Sequence, residues 1–240
     1  MWRRLFAEGL CTCLLCFTIV VSHLRLIYIP GAYYSAYCTA GTIMALMIFS
    51  GFTSGAHFNP AATVGYCVYK FINSSVEKAD FIEYGMYIVV QFVCAIPGAY
   101  IGWAINEETM YFDLPHDYDS ISAFLAEMVY TTLIVGCALM VGHTNDSIVI
   151  VSSGVATALF GGVLGVGLIS GACFNPAVGL AANLVHYSNK QDHFGHTWIY
   201  IIAPLLGGII AALLSTVFIQ EMNDQKKKKS ILREESQGQQ

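Results

Sequence analysis

The chain has 240 residues, 56% hydrophobic and 11% charged, with a formal net charge of -5. Soluble domains carry about 25% charged residues, so this composition excludes an ordinary soluble globular protein and points to several membrane spans of about 20 apolar residues each. The eight cysteines all fall in apolar segments, which argues against a disulfide framework and for small packing residues.

The first apolar run, Leu5–Ser22, contains Glu8 and no small-residue cleavage site, and is read as a retained first span rather than a signal peptide. Ala36–Phe52 is the second span, followed by a shorter apolar piece from Asn59 that stops at Lys70. Tyr84–Ile105, Ala123–Val141 and Ile148–Leu168 are the third, fourth and fifth. A second short piece runs from Asn175 to His186, and Trp198–Ile219 is the sixth span. The expected fold is all-α: six transmembrane helices plus two re-entrant half-helices in one domain over residues 1–219. Residues 220–240 are polar, include Lys226, Lys227, Lys228 and Lys229, and read as a disordered cytoplasmic tail; attraction to anionic lipid is the alternative use of that basic run.

Basic residues set the orientation. Arg3, Arg4, Lys70, Lys78, Lys226, Lys227, Lys228, Lys229 and Arg233 fall on one side, and only Arg25 and Lys190 on the other. This asymmetry predicts that both termini are cytoplasmic. The stretch from Asn106 to Ser120 carries only acidic charge and faces away. The glycosylation-like triplets at Asn73 and Asn145 then lie on the cytoplasmic side and are expected to be unused.

The chain repeats itself. Ser54–Ala61 (SGAHFNPA) and Ser170–Ala177 (SGACFNPA) differ only at His57 against Cys173. Ala7-Glu8 is answered by Ala126-Glu127, and Tyr87 and Gln91 by Tyr200 and Pro204. Each half, about 1–118 and 119–219, holds three spans and one short piece. Three is odd, so the second copy enters the membrane from the opposite face, giving an inverted repeat.

Asn59 suits an N-cap and Pro60 the first helical position; Asn175 and Pro176 repeat the pattern. Each short helix of 12 residues is about 18 Å long, enough to reach mid-membrane but not to cross. The non-helical stretches before them, Thr53–Phe58 and Ile169–Phe174, must be buried in protein or line a water-filled cavity. Two helix N-termini, each with about half a positive charge and an Asn amide, then meet at the centre. Carbonyls offer acceptors on the approach, and the central positive ends oppose cations. This describes a narrow pore for small neutral solutes.

At these residues the sequence resembles the aquaporin, or major intrinsic protein, family. SGAHFNPAATVG, SGACFNPAVG, the paired Ala-Glu of spans one and four and the Pro-Leu-Leu-Gly-Gly of span six carry the resemblance, which extends from about Leu5 to Ile219. It implies an aquaporin-like inverted repeat, one pore per subunit and a homotetramer. It implies that the motifs Asn59-Pro60-Ala61 and Asn175-Pro176-Ala177 present Asn59 and Asn175 to passing water. It further implies that Glu8 and Glu127 hold the re-entrant loops, with a proton-relay role as the rival. Gly55, Ala56, His57, Gly171 and Cys173 are then expected along the pore; His57 is either a structural hydrogen-bonding residue or a pH gate, and Cys173 faces either the pore or the packing side.

Counted from the two asparagines, the family's selectivity filter falls at Thr39, Val163, Ala172 and Val178. Most members have Arg where Val178 stands, and strict water channels tend to place an aromatic residue and a His at the other positions. Their absence predicts a wider, less polar constriction. Ala172 with Val178 is similar to some tonoplast members that pass water and other small neutral solutes.

The expected function is passive transport of water with passage of glycerol, urea, ammonia or hydrogen peroxide and exclusion of protons and ions. The alternatives are a glycerol or small-solute facilitator with water secondary, a secondary transporter, and a closed structural membrane protein. No Gly-rich phosphate loop, GxSxG or paired set of Cys-x-x-Cys motifs points to an enzyme or a cofactor. His186, His193 and His196 are spaced too irregularly for a metal site and read as solvated loop residues. The partners expected are water, small neutral solutes, the lipid bilayer and further copies of the chain. The plasma membrane is the expected location, with the vacuolar membrane as the alternative.

Overall fold

The computed structural model describes residues 1–24, 33–75, 77–114, 117–145, 147–190 and 194–237, without the side chains of 33 and 231–237. Arg25 and His193, singled out above, and Asp146, the middle residue of the Asn145 triplet, lie outside the described residues. Among the described residues, eight α-helices follow in order: α1 (Trp2–Leu24), α2 (Tyr33–Ser54), α3 (Pro60–Ile72), α4 (Lys78–Asn106), α5 (Ser120–Thr144), α6 (Ile148–Ser170), α7 (Pro176–Lys190) and α8 (Ile199–Gln237). Six of them are long and apolar enough to cross a membrane. The other two, α3 and α7, have 13 and 15 residues. At 1.5 Å per residue they reach about 20 Å, short of a hydrocarbon core of about 30 Å.

The helices start and stop where local chemistry allows. Asp119 caps α5 by accepting from the backbone N–H of Ser122 at 2.7 Å. That bond holds the Asp119 carboxyl below the usual carboxylate range. Glu77 and Asp80 form a capping box at α4, so α4 begins before the apolar run that marked it in the sequence. At the other end α8 does not stop at Ile219. It continues to Gln237, where the sequence reading expects a disordered tail. Gln, Glu, Met and Lys are good helix formers, and a helix already nucleated adds one hydrogen bond per residue.

The molecule is apolar outside and partly polar inside. Phe49, Phe52 and Leu168 are among the large apolar side chains left exposed, whereas Glu8, Gln91 and Glu127 are fully buried. Lipid can cover the former; the latter need partners inside the protein.

Each half-helix packs on a span from the other half: α3 lies against α8, and α7 against α4. The chain therefore interlocks across its repeat. Two glycines permit the closest approaches. A Cβ at Gly208 would collide with the carbonyl of Ala61 in α3, and one at Gly98 with the carbonyl of Cys13 in α1. Both obstacles are backbone, which cannot rotate aside. Gly208→Val is therefore expected to push α3 off α8 at a cost of about 3 kcal/mol or more. Thermal unfolding in detergent, followed by size-exclusion chromatography, checks this; an unchanged melting temperature would show that the α3–α8 contact tolerates a side chain.

Candidate functional site

The two motifs fold alike because the same local sequence meets the same constraint twice. After α2, Gly55 turns into the left-handed region at φ 88°, and Ala56 and Phe58 follow at 56° and 50°. After α6, Gly171, Ala172 and Phe174 take 85°, 56° and 53°. Glycine adopts such angles freely, but Ala and Phe do so at about 1–3 kcal/mol each, and only where the surroundings over-determine them.

A buried carboxylate supplies that constraint in each half. Glu8 Oε1 accepts from the Ser54 hydroxyl at 2.7 Å and the His57 N–H at 3.0 Å. Its Oε2 accepts from the Phe58 N–H at 2.7 Å and the Gln91 amide at 2.8 Å. Glu127 repeats this from α5: Oε1 accepts from the Ser170 hydroxyl at 2.7 Å and the Cys173 N–H at 2.9 Å, and Oε2 from the Phe174 N–H at 2.6 Å. The counterpart of Gln91 is Pro204, which has no side-chain donor, so the second clamp is held by one bond fewer. With their N–H groups turned to the carboxylates, the two segments are fixed as non-helical backbone in the interior.

The asparagines close the arrangement. Asn59 caps α3, its Oδ1 accepting from the Ala61 N–H at 2.8 Å. Asn175 Oδ1 accepts from the Ala177 N–H at 3.1 Å. Each amide nitrogen reaches across to the opposite loop: Asn59 Nδ2 donates to the Phe174 carbonyl, and Asn175 Nδ2 to the Phe58 carbonyl, both at 2.9 Å. The two half-helix N-termini therefore meet. A primary amide has two N–H groups, so each Asn retains a second donor after the crossed bond.

Beside them lies a largely enclosed cavity of about 60 Å³, room for a few water molecules. Its polar lining includes His57, Asn59, Tyr66, Asn175 and Cys173; Leu15, Ile19, Ile43, Met47, Val155 and Leu159 form much of the apolar wall. The predicted pore residues thus divide. Ala56, His57, Cys173 and both asparagines line the cavity, whereas Gly55 and Gly171 flank it along the chain. Thr39, Val163, Ala172 and Val178 are buried and do not line it.

His57 is caged. Its Nδ1 lies 3.1 Å from Thr63 Oγ1, and its ring stacks on Tyr66 at 4.5 Å between centroids, with Tyr84 and Tyr87 within 5.6 Å. Cys173 lines the cavity while its thiol donates to the Asn175 carbonyl at 3.2 Å. At the other end, the segment after α4 folds inward: the Phe112 N–H donates to Asn183 Oδ1 at 2.7 Å, and Asn183 Nδ2 returns a bond to the Phe112 carbonyl at 2.9 Å. His186 and His196, considered above as metal ligands, contact that segment at Thr109 and Asp113, each at 2.6 Å.

Sequence reasoning did not assign the serine donors Ser54 and Ser170, Gln91 on Glu8, or the Tyr66 face on His57. Both serines stood inside the repeated octapeptide, and that recurrence was the available signal.

Comparison with known proteins agrees with this architecture. Residues 1–215 match the Major intrinsic protein family. The chain belongs to that family. Among its relatives are a probable aquaporin, NIP7-1, of Arabidopsis thaliana (29% identical, covering 73% of this chain and 61% of that protein) and the glycerol uptake facilitator protein-like 5 of Lactiplantibacillus plantarum (28% identical, covering 74% and 76%). The matched region thus spans about three fifths of the Arabidopsis protein. The crystallographic aquaglyceroporin of Plasmodium falciparum shares the fold at a TM-score of 0.81 and 17% identity, over 92% of this chain and 98% of that one. The chain is therefore a multi-span integral membrane protein of the Major intrinsic protein family.

Removing a clamp tests how the site is held. Glu8→Ala strips the acceptor from the His57 and Phe58 amides, Ser54 and Gln91. At about 1–3 kcal/mol per orphaned donor, this approaches the whole stability of a typical domain, and the variant is expected to yield no monodisperse protein. Gln91→Leu removes one donor and leaves the carboxylate its other bonds, for a loss of about 1–2 kcal/mol. Comparison of melting temperatures in detergent checks the ranking; a Glu8→Ala protein as stable as Gln91→Leu would refute the clamp.

Proposed function

We propose that the chain forms a passive pore for water that also passes small neutral solutes such as glycerol, urea, ammonia or hydrogen peroxide, and that excludes protons and ions. The crossed bonds of Asn59 and Asn175 carry this reading, because they bring two positive helix ends together beside the cavity. A water molecule there meets amide donors in its middle passage and backbone carbonyls on either approach. A cation meets the same two positive ends and no carboxylate oriented to receive it, because Glu8 and Glu127 are occupied by the loops they hold.

On this reading Thr39, Val163, Ala172 and Val178 form the outer constriction, and the Val in place of a filter arginine leaves it wide and weakly polar. Glycerol uptake facilitators among the relatives, and the apolar wall of Leu15, Ile19, Ile43, Met47, Val155 and Leu159, favour solutes with CH faces as well as water. A facilitator whose main cargo is glycerol is therefore the second reading. Four subunits would associate, each with its own pore, and both termini would face the cytoplasm of a cell whose plasma membrane holds the protein.

Stopped-flow light scattering on proteoliposomes tests the proposal with sucrose, urea and glycerol gradients. Rapid water efflux, linear in the gradient and indifferent to ion gradients, is expected. Saturation or ion coupling would mark a transporter, and no flux through well-folded protein would mark a closed structural protein. Val178→Arg is expected to lower glycerol and urea uptake about tenfold, equivalent to about 1.4 kcal/mol in barrier height, with a smaller effect on water. Unchanged solute uptake in that variant would reject the filter positions.

A further inference from the structure

α1 supplies Leu15 and Ile19 to the cavity wall. Residues four apart share a helix face, so the same row continues to His23, one turn toward the end of α1. His23 Nε2 lies 3.1 Å from the carbonyl of Gly171, the residue that opens the second re-entrant segment. Phe112 sets its ring edgewise to the imidazole at 5.7 Å between centroids. A Cβ at Gly171 would stand 2.9 Å from that ring, so Phe112, Gly171 and His23 close on one another. His23 nevertheless keeps part of its surface open, whereas Ala172 beside Gly171 is buried.

We propose that His23 is a specificity-determining residue of this pore: a titratable donor at the end of its wall, where Val178 provides no fixed cation. This rests on the filter reading above. The hydrogen bonds set its chemistry. Nε2 faces a carbonyl, which can only accept, so Nε2 carries the proton in the neutral ring. Nδ1 faces the Ser35 hydroxyl at 2.9 Å and the Ile19 carbonyl at 3.2 Å. Neutral His23 accepts from Ser35. Protonated His23 donates instead, to Ile19 or to the Ser35 oxygen, without moving. Every polar partner of the ring can thus accept from the cation. The groups that face it are the Ile19 carbonyl from α1, Ser35 from α2, the Gly171 carbonyl after α6, and Phe112 from the segment after α4. Beyond Phe112 stand Tyr200 of α8, against the Phe112 ring, and Asp113, paired with His196 at 2.6 Å. At acidic pH the pore would gain a positive charge at this end and reject cations more strongly, while neutral solutes of the same shape pass.

Urea and guanidinium make that comparison, since they share a planar shape and differ in charge. Their uptake into proteoliposomes at about pH 5.5 and pH 8, either side of the ordinary imidazole range, is measured for the wild type, His23→Gln, His23→Asn and His196→Gln. In the wild type the ratio of urea to guanidinium uptake is expected to rise roughly tenfold on acidification, the effect of one unit charge near a protein surface. In His23→Gln, which keeps a donor for Gly171, the ratio is expected not to change with pH; His23→Asn carries the same test if the first variant does not fold. A flat wild-type profile, a pH response that survives in the His23 variants, or one that is lost with His196→Gln overturns the proposal. Val178→Arg in the His23→Gln background separates it from the filter reading: restored exclusion at both pH values supports both, whereas an arginine without effect rejects the filter positions while the His23 result stands by itself.

Discussion

Everything in this molecule depends on holding two stretches of peptide in the apolar interior without letting them become helix. Backbone N–H and C=O groups at that depth must be satisfied by protein or by water. The chain does both. The N–H groups of His57 and Phe58, and of Cys173 and Phe174, are turned onto Glu8 and Glu127. Each carboxylate can accept several bonds at once, so one side chain satisfies a whole turn. The strained angles of Ala56, Phe58, Ala172 and Phe174 are the conformational cost, and the charge-assisted bonds offset it.

The crossed asparagines follow from that constraint. Once the loops are fixed, the asparagine before each half-helix is brought to the opposite loop, and its amide bonds a backbone carbonyl there. Capping and cross-linking are thus performed by one side chain, Oδ1 serving its own helix and Nδ2 the other half of the molecule. The packing of α3 on α8 and α7 on α4 makes the same connection on a larger scale. A change in either half is therefore felt by both helix ends, which is how a duplicated chain becomes one site rather than two.

The two halves are not equivalent, and their differences bear on function. Gln91 adds a bond to the first clamp where Pro204 adds none to the second. His57 is boxed in by Tyr66, Tyr84 and Tyr87, while its counterpart Cys173 bonds back to its own loop. On the side of the second clamp the chain brings His23, Phe112 and Gly171 together. Duplication fixes the scaffold; departures from it set the chemistry at each end.

The sequence by itself determined the number of spans, the two half-helices and the repeat, because each depends on local composition and spacing. An apolar run of a given length either crosses a bilayer or does not, and Asn followed by Pro suits a helix start, Asn as cap and Pro as first residue. Glu8 and Glu127 were legible as residues in need of partners, since a carboxylate within a span has few other options. Helix ends were less legible: the capping box at Glu77 and the continuation of α8 to Gln237 lie in polar sequence that hydropathy does not read. Only the tertiary structure decided which donors meet each carboxylate, that the asparagine amides cross, and that His23 lies on Gly171, 148 residues away. Such contacts join positions distant along the chain, and their distances are set by how α1, α4, α5 and α8 pack, a property of no single segment.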